Sequence, residues 1–400
     1  MLAQGAAEVN KSESIDDLLA MNLSNQTTLN RTVFNYTAFN SSEFDFTDID
    51  VADNYYDYSQ NPNEPEVISL AFSASDFNAD NATDLLVMNI SSDAATGAFN
   101  SVISAFSGSD GSTLWQKEYP GSLVIATTAG DLNGDGQTDV MIDEILAATG
   151  FIPYSSVCAL DGRNGTAIWC RPQMLAMTFA YPVQDIRGDN STEFMVHVFG
   201  LDSMNNSIFT RISRVSGANG TKLDERIFSG ALAIEYPAGN LTSDLVQDSI
   251  AASYQLNESM TSEGEDVPMN ITATVIEARD GQEHKMLWNR SFAGPVLAVP
   301  VIDLTGDGQD ELVVYLMKFA ANDSISCDIS VLQGSDGKML WRQSFAGPVL
   351  AVAGPDLTGE GHRDLIVYRV GESDRSEVLA IKGDDGRLLW SRAGIIYIPS

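Results

Sequence analysis

The sequence predicts an all-β fold, a β-propeller built from four-stranded blades. Three observations lead to this prediction. A short acidic loop recurs six times, a glycine-turn motif that ends in Trp alternates with it, and no amphipathic helical pattern of any length follows residue 30. Units of about 50 residues, each with an apolar first strand, are typical of blades that pack radially and leave few exposed strand edges.

The acidic loop sets the period of the repeat. Its copies begin at residues 76, 131, 185, 240, 303 and 356, so the starts are 55, 54, 55, 63 and 53 residues apart. An apolar, β-branched run precedes each copy and another follows it, as in "PVLAVPVIDLTGDGQDELVVYLM" from residue 295. We therefore predict that the loop joins the first and second strands of each blade.

The second motif lies between the third and fourth strands. It reads "GSDGSTLW", "GRNGTAIW", "RDGQEHKMLW", "GSDGKMLW" and "GDDGRLLW", and ends at Trp115, Trp169, Trp288, Trp341 and Trp390, which are all the tryptophans of the chain. The copy in the third repeat, "GANGTKLDE", has no Trp. We predict that each Trp packs between neighbouring blades, with its N–H bonded to a carbonyl, rather than lining a cofactor site.

The repeats define the expected domain organisation. Residues 1–30 are expected to be a flexible, glycosylated tail and residues 31–400 a β-propeller, with units at about 64–118, 119–172, 173–228, 229–291, 292–344 and 345–394. Segments 31–63 and 395–400 could together close a seventh blade, and seven blades are favoured. Six blades are the alternative, because "DFTDIDVADNYYDYS" lacks the glycine–tryptophan motif.

Both motifs resemble known repeats over residues 64–400. The acidic loop is similar to the calcium-binding FG-GAP repeats, also grouped with VCBS-type repeats, of the integrin α-chain propeller, and "FAGPVLAV" at 292 and 345 is similar to the strand that precedes them. The fuller form of the second motif, Asp-Gly-x-x-Gly-x-x-x-Trp, resembles the tryptophan-docking repeats of quinoprotein-like (PQQ-like) propellers. The resemblance implies the fold and leaves the function open, because propellers host many functions.

The loops have the oxygen spacing that calcium requires. Side-chain oxygens at positions 1, 3, 5 and 9, with a carbonyl at position 7, can surround one Ca²⁺. We expect about four structural calcium ions, held in four loops. The ligands are Asp76, Asn78, Asp80 and Asp84; Asp131, Asn133, Asp135 and Asp139; Asp303, Thr305, Asp307 and Glu311; and Asp356, Thr358, Glu360 and Asp364.

Two loops are expected to be turns without an ion. The loop at 185 has Arg187 at position 3, where a guanidinium could replace the ion. The loop at 240 begins with Asn240 and has Leu245 in place of the glycine at position 6. Asx hydrogen bonds are expected to hold these two turns.

The charge excludes several classes of partner. The chain has 55 acidic residues against 22 Lys and Arg, a net charge of −33, which argues against nucleic acid and anionic membrane surfaces. It contains no run of 18 apolar residues, so no direct membrane insertion is expected. The N-terminus lacks the features of a signal peptide.

Asparagine usage indicates an extracellular or cell-surface protein. Of 24 Asn, 17 lie in Asn-x-Ser/Thr sequons, where chance predicts about four. We expect glycosylation at some of Asn10, Asn22, Asn25, Asn30, Asn35, Asn40, Asn81, Asn89, Asn164, Asn190, Asn205, Asn219, Asn240, Asn257, Asn270, Asn289 and Asn322. The acidic, Lys-poor composition suggests an archaeal envelope protein.

The three cysteines fit an oxidising compartment. Cys158 and Cys170 lie six residues either side of Asn164, so a hairpin centred there would bring the two sulfurs together as a disulfide. Cys327 is expected to be a buried thiol.

Three functions remain open. The first is a binding or adhesion module for a protein or glycan partner, supported by the loops, the sequons and the integrin resemblance, with no catalytic residue assigned. The second is an extracellular propeller enzyme, a quinoprotein-like dehydrogenase or a polysaccharide lyase or hydrolase. It finds little support in the three His residues, His197, His284 and His362, or in seven Lys. The third is a structural component of a cell envelope.

Overall fold

The computed structural model describes residues 67–92, 98–146, 154–183, 192–202, 207–244, 246–256, 271–319, 325–370 and 376–394. These residues form six four-stranded antiparallel sheets and no helix. Accordingly, this part of the chain holds no helix with the length and apolar character needed to cross a membrane. Each sheet is one blade of a β-propeller fold, as the sequence predicted.

Each of the first three blades is a simple meander, in which strands follow chain order across the sheet. The first has β1 (Val67–Ser73), β2 (Leu85–Ser92), β3 (Phe99–Phe106) and β4 (Thr113–Pro120). The second has β5 (Ser122–Gly130), β6 (Asp139–Leu146), β7 (Tyr154–Leu160) and β8 (Ala167–Met174). The third has β9 (Ala176–Val183), β10 (Glu193–Asp202), β11 (Ser207–Ser216) and β12 (Lys222–Ser229).

The last three blades repeat the same meander. The fourth has β13 (Ala231–Gly239), β14 (Asp248–Leu256), β15 (Ile271–Arg279) and β16 (Met286–Ala293). The fifth has β17 (Val296–Val301), β18 (Glu311–Phe319), β19 (Ile325–Leu332) and β20 (Met339–Ala346). The sixth has β21 (Val349–Ala353), β22 (Leu365–Val370), β23 (Ser376–Ile381) and β24 (Leu388–Gly394).

The blade count fits the six-bladed alternative rather than the favoured seven. Six sheets account for all strands among the described residues. Segments 31–63 and 395–400, which a seventh blade would use, lie outside the described residues, as does the predicted tail at 1–30.

The chain divides into two compact units. One comprises Met1–Leu201 and Ser213–Arg226, and the other Asp202–Ile212 and Ile227–Ser400. Blades one and two belong to the first unit, and blades four, five and six to the second. The division crosses the third repeat, which is the repeat without a Trp.

Apolar side chains from consecutive blades form the core within each unit. In the first unit, Leu86 and Ile103 of blade one cluster with Val124 and Ile142 of blade two, and all four are at most 1% exposed. In the second unit a corresponding cluster joins blades four and five. Consecutive residues of β18, from Glu311 to Tyr315, are buried, so this strand is covered on both faces, which explains why it reads as a nearly continuous apolar run.

The tryptophans pack between blades, as predicted. Each of four indole N–H groups donates to the backbone carbonyl of a glycine in the next blade, and the four side chains are 7–9% exposed. The pairs are Trp115 with Gly162 (2.6 Å), Trp169 with Gly217 (2.5 Å), Trp288 with Gly334 (2.6 Å) and Trp341 with Gly383 (2.7 Å).

A second glycine in the next turn accommodates the indole ring. Gly337 has a φ of 67°, and a Cβ placed on it would lie 2.5 Å from the ring of Trp288. A side chain at this position is therefore excluded both by backbone conformation and by space. Gly165, Gly220 and Gly386 have the same relation to the preceding Trp.

The contact is missing between the third and fourth repeats. The third repeat lacks the Trp, and the fourth lacks the glycine that would accommodate its ring. Asp224 stands at the Trp position of the third repeat and forms an ion pair with Arg214 at 2.8 Å. His284 stands at the ring-accommodating glycine position of the fourth repeat, with a φ of 56°. The two substitutions match, because a Trp that is absent needs no glycine to receive it.

The docking residues of the sixth blade are exposed. Trp390 is 40% exposed, in contrast to its four buried counterparts. Leu357, at position 2 of the last acidic loop, is 41% exposed, whereas the equivalent Phe77, Leu132 and Leu304 are at most 2% exposed. These side chains are buried in other blades by the blade that follows.

Cys158 and Cys170 are directly opposed on β7 and β8 and form a disulfide, with Cα atoms 4.1 Å apart. The hairpin turn lies at Asn164, where the sequence placed it. Cys327 is a buried thiol, and burial raises its pKa.

Candidate metal centre

In four of the loops, the acid at position 9 bonds the loop to the rest of its blade. Asp139 is fully buried and accepts hydrogen bonds from Leu132 N (2.8 Å) and Gly162 N (3.0 Å). It thereby joins the acidic loop to the turn between the third and fourth strands of the same blade. Asp84, Asp248 and Asp364 make the same pair of contacts. Burial raises the pKa of Asp139 and of Asp248.

The acid at position 1 organises the loop backbone. Asp131 accepts hydrogen bonds from Gly134 N (2.7 Å), Asp135 N (3.2 Å) and Gly136 N (2.8 Å). Asp76, Asp303 and Asp356 accept corresponding amides in their loops. These bonds curl the loop so that its remaining oxygens face inwards.

The loop at 303 brings its predicted ligands together. Single carboxylate oxygens of Asp303, Asp307 and Glu311 all lie within 4.8 Å of one another. The hydroxyl of Thr305 donates to Glu311 Oε1 at 3.3 Å, so the fourth predicted ligand is also present. Three carboxylates and a hydroxyl are hard oxygen donors of the kind that Ca²⁺ prefers.

Glu311 shows the electrostatic cost of this arrangement. Burial, together with the nearby charges of Asp307 and Asp303, raises its pKa to about 7. One oxygen accepts a hydrogen bond from Leu304 N at 2.6 Å, which partly offsets the effect of burial. A divalent cation among these carboxylates would relieve their mutual repulsion.

The loops at 76 and 131 are built from the same contacts with an amide at position 3. Asn78 Oδ1 accepts from Asp80 N at 3.0 Å, and Asn133 Oδ1 accepts from Asp135 N at 2.9 Å. Asn81 has a φ of 65° at position 6, where the other predicted calcium loops have glycine. Unlike the three acids at 303, the acids at positions 1, 5 and 9 of these two loops do not have single carboxylate oxygens that all lie within 4.8 Å of one another.

The loop at 356 has a different arrangement. Glu360 groups with His362 and Asp384, within 4.8 Å, rather than with the other predicted ligands Asp356 and Asp364. Asp364 has each oxygen bonded to a backbone amide, as described above for position 9. The Nδ1 atom of His362 is buried and has no hydrogen-bond partner.

The loop at 240 is a turn of the expected kind. Asn240 Oδ1 accepts from Ser243 N at 2.7 Å, and the backbone N–H of Asn240 donates to Asp310 of the neighbouring loop at 2.9 Å. Leu245 lies outside the described residues, and so does Arg187 with most of the loop at 185.

The sequence-based ligand sets did not include residues from the turn between the third and fourth strands, which contacts the acidic loop of the same blade. Gln333 donates to Asp307 and Glu311, Ser109 donates to Asp80 at 2.8 Å, and Lys382 contacts Glu360 at 2.7 Å. Ser109 lies in the glycine–tryptophan motif, Gln333 and Lys382 directly precede it, and the three follow the acids that they contact by 22–29 residues. The strict alternation of the two motifs along the chain was a signal that could have found them.

Comparison with known proteins agrees with a PQQ-like β-propeller. Residues 272–395, less than half of the chain, match the family model PQQ_2, described as outer membrane protein assembly factor BamB. A 39-residue stretch is 51% identical to the mouse KICSTOR complex protein kaptin and covers 10% of this chain and 9% of kaptin.

Several solved structures are similar at low identity. The Dos1 propeller is 8% identical, with a TM-score of 0.39 over 83% of this chain and 71% of that one. A europium-containing methanol dehydrogenase is 11% identical, with a TM-score of 0.36 over 82% and 74%. The β-propeller domain of the Trilobed protease from Pyrococcus furiosus is 8% identical, with a TM-score of 0.32 over 78% and 91%. Likenesses of this size say nothing about activity.

Proposed function

We propose that the protein is a calcium-binding β-propeller that acts outside the cell or at its surface as a binding or adhesion module for a protein or glycan partner. The observation that carries the proposal is the equivalent placement of the acidic loops, each bonded to the turn of its own blade. Ions held in this way stabilise single blades instead of meeting at one reaction centre. The resemblance to FG-GAP repeats supports the same view.

The donor set fits calcium. Asp303, Asp307 and Glu311 offer carboxylate oxygens and Thr305 adds a hydroxyl, and this group contains no cysteine that would favour a softer metal. An ion here would join the first and second strands of the blade through Asp303 and Glu311, whose loop Gln333 ties to the end of the third strand. Its role would therefore be to stabilise the hairpin against the repulsion of its own carboxylates.

Exposed apolar side chains support a binding role. Ile234, Leu297 and Leu350 occupy equivalent positions on the first strands of blades four, five and six, and are 45%, 53% and 54% exposed. Each lies six residues before its acidic loop. Apolar groups that stay exposed at the same place in successive repeats are typical of a recognition surface.

Sequon positions support an extracellular location. Among the described residues, the side chains of Asn81, Asn164, Asn219 and Asn289 are exposed, so a glycosylation enzyme could reach them. The Cys158–Cys170 disulfide also suits an oxidising compartment.

A quinoprotein-like enzyme is the second candidate, because residues 272–395 match a PQQ-like repeat model. The first strands of the six blades do not fit an anionic quinone: β1, β5, β9, β13, β17 and β21 contain no Lys, Arg or His. We therefore derive no reaction step through such a cofactor.

A direct test compares binding with oxidation. The full chain, with calcium and with a chelator, would be applied to a glycan array and to immobilised collagen, beside the Leu297→Asp variant. Calcium-dependent binding that the variant loses supports the module. Dye-linked oxidation of alcohols or sugars after addition of pyrroloquinoline quinone, with no binding to either surface, would replace it with the enzyme.

A further inference from the structure

The acid at position 5 of the loops at 76, 131 and 303 has two partners with separate origins. One oxygen accepts a backbone N–H two residues further along the loop: Ala82 N for Asp80 (2.8 Å), Gln137 N for Asp135 (2.9 Å) and Gln309 N for Asp307 (2.9 Å). The other oxygen faces the turn that covers the loop. The chemistry of the covering side chain therefore decides how much negative charge remains for an ion.

The covering side chain differs between blades. It is neutral in blade one, where Ser109 bonds to Asp80, and in blade five, where Gln333 bonds to Asp307. In blade two it is Arg163, whose guanidinium lies 3.2 Å from the oxygen of Asp135. In blade six it is Lys382.

Carboxylates surround the ammonium of Lys382 as they would surround a bound metal cation. Its side chain is 10% exposed, and its Nζ lies 2.7 Å from Glu360 and 3.0 Å from Asp384, with Asp385 at 4.0 Å. His362 closes the group, with Nε2 3.4 Å from Glu360.

We propose that Lys382 is a built-in counter-ion that takes the place of a metal in the sixth blade. The proposal rests on calcium binding by the other loops. An ammonium in contact with Glu360 both neutralises this ligand and repels a second cation at the same position. The loop at 356 then needs no calcium, and the ions per chain number three, in the loops at 76, 131 and 303, instead of four.

Arg163 does not block its loop in the same way. Its side chain is 49% exposed and makes one ion-pair contact, so it can turn into solvent when an ion enters. Such an exposed ion pair contributes little to stability, because water screens it. Blade two therefore keeps its site, with an affinity below that of blades one and five.

The test measures calcium per chain in the full-length protein. Wild type, Lys382→Met and the control Lys285→Met would be dialysed against calcium and analysed by elemental analysis. Lys285 is a suitable control because its side chain is 73% exposed and forms a surface ion pair with Glu283, away from the sixth acidic loop. We expect three ions in wild type and in the control, and four in Lys382→Met. Equal calcium in all three proteins would overturn the proposal.

A second pair of variants decides the matter if Lys382→Met does not fold. Glu360→Gln should leave the calcium content of wild type unchanged, whereas Asp307→Asn should lower it by one ion. Loss of an ion in Glu360→Gln would show that the sixth loop binds metal despite Lys382.

The results also separate this proposal from calcium binding in general. Wild type with no calcium and Lys382→Met with one ion would refute the proposed calcium sites while supporting the role of Lys382. Four calcium ions in wild type would support the proposed calcium sites and refute the role of Lys382.

Discussion

At the residue scale, one buried acid differs from all the loop acids. Asp143 on β6 is 6% exposed, and its Oδ2 accepts a hydrogen bond from Ala180 N at 3.1 Å. The equivalent position in blades one and five holds uncharged groups: Met88 Sδ receives Ala126 N, and the Tyr315 hydroxyl receives Ala351 N. The second oxygen of Asp143 is buried without a partner. In blade two a carboxyl group therefore makes the contact that a thioether and a hydroxyl make in blades one and five.

Asp143 predicts a pH dependence of stability. Burial raises its pKa from 3.8 to about 7, so between these pH values the folded protein binds more protons than the unfolded chain. The free energy of unfolding therefore falls as the pH rises through this window. Thermal unfolding from pH 4.5 to 8 should show this fall in wild type, and a smaller fall in Asp143→Asn, which removes the charge and keeps the shape.

Asp143→Asn also controls for the other acids, because it keeps all of them and they titrate as in wild type. Parallel melting curves for both proteins across this pH range would show that Asp143 does not carry the effect. The sequence alone gave no indication of it, because an acid inside the strand "DVMIDEIL" reads as an ordinary surface position of an alternating strand.

At the element scale, the repeated motifs predicted most of the blade. Their spacing placed six four-stranded units, the loops between first and second strands, and the Trp contacts between blades. The hairpin at Asn164 placed the disulfide. The covering contacts of Gln333 and Lys382 were not foreseen, because a side chain 22 or more residues from the loop reaches it only through the register of three paired strands.

The same motifs predict unequal effects for two tryptophans. Trp341 is 8% exposed and bonded to Gly383, so Trp341→Ala should lower the free energy of unfolding by about 3–5 kcal/mol. Trp390 is 40% exposed, so Trp390→Ala should cost roughly 1–2 kcal/mol. Denaturant unfolding of both variants measures the difference. An equal loss would mean that Trp390 is buried by a segment outside the described residues.

At the scale of the whole molecule, the net charge of −33 is the dominant feature. Like charges repel in the folded chain, and salt screens them over about 10 Å at 0.1 M. The melting temperature should therefore rise between 0.02 and 0.5 M sodium chloride in the presence of a chelator. With calcium bound, the rise should be smaller, since the ions already neutralise the densest acidic clusters. A salt response that calcium does not change would place the repulsion outside the loops.

The most direct test of the account is thermal unfolding of the full chain in excess calcium and in chelator, together with the metal content of the untreated protein. A site filled at 100 times its dissociation constant adds about 2.7 kcal/mol to stability, so three sites should raise the melting temperature by roughly ten degrees or more. The account predicts this shift and three calcium ions per chain. An unchanged melting temperature with no bound calcium would contradict it and leave the acidic loops as hydrogen-bonded turns.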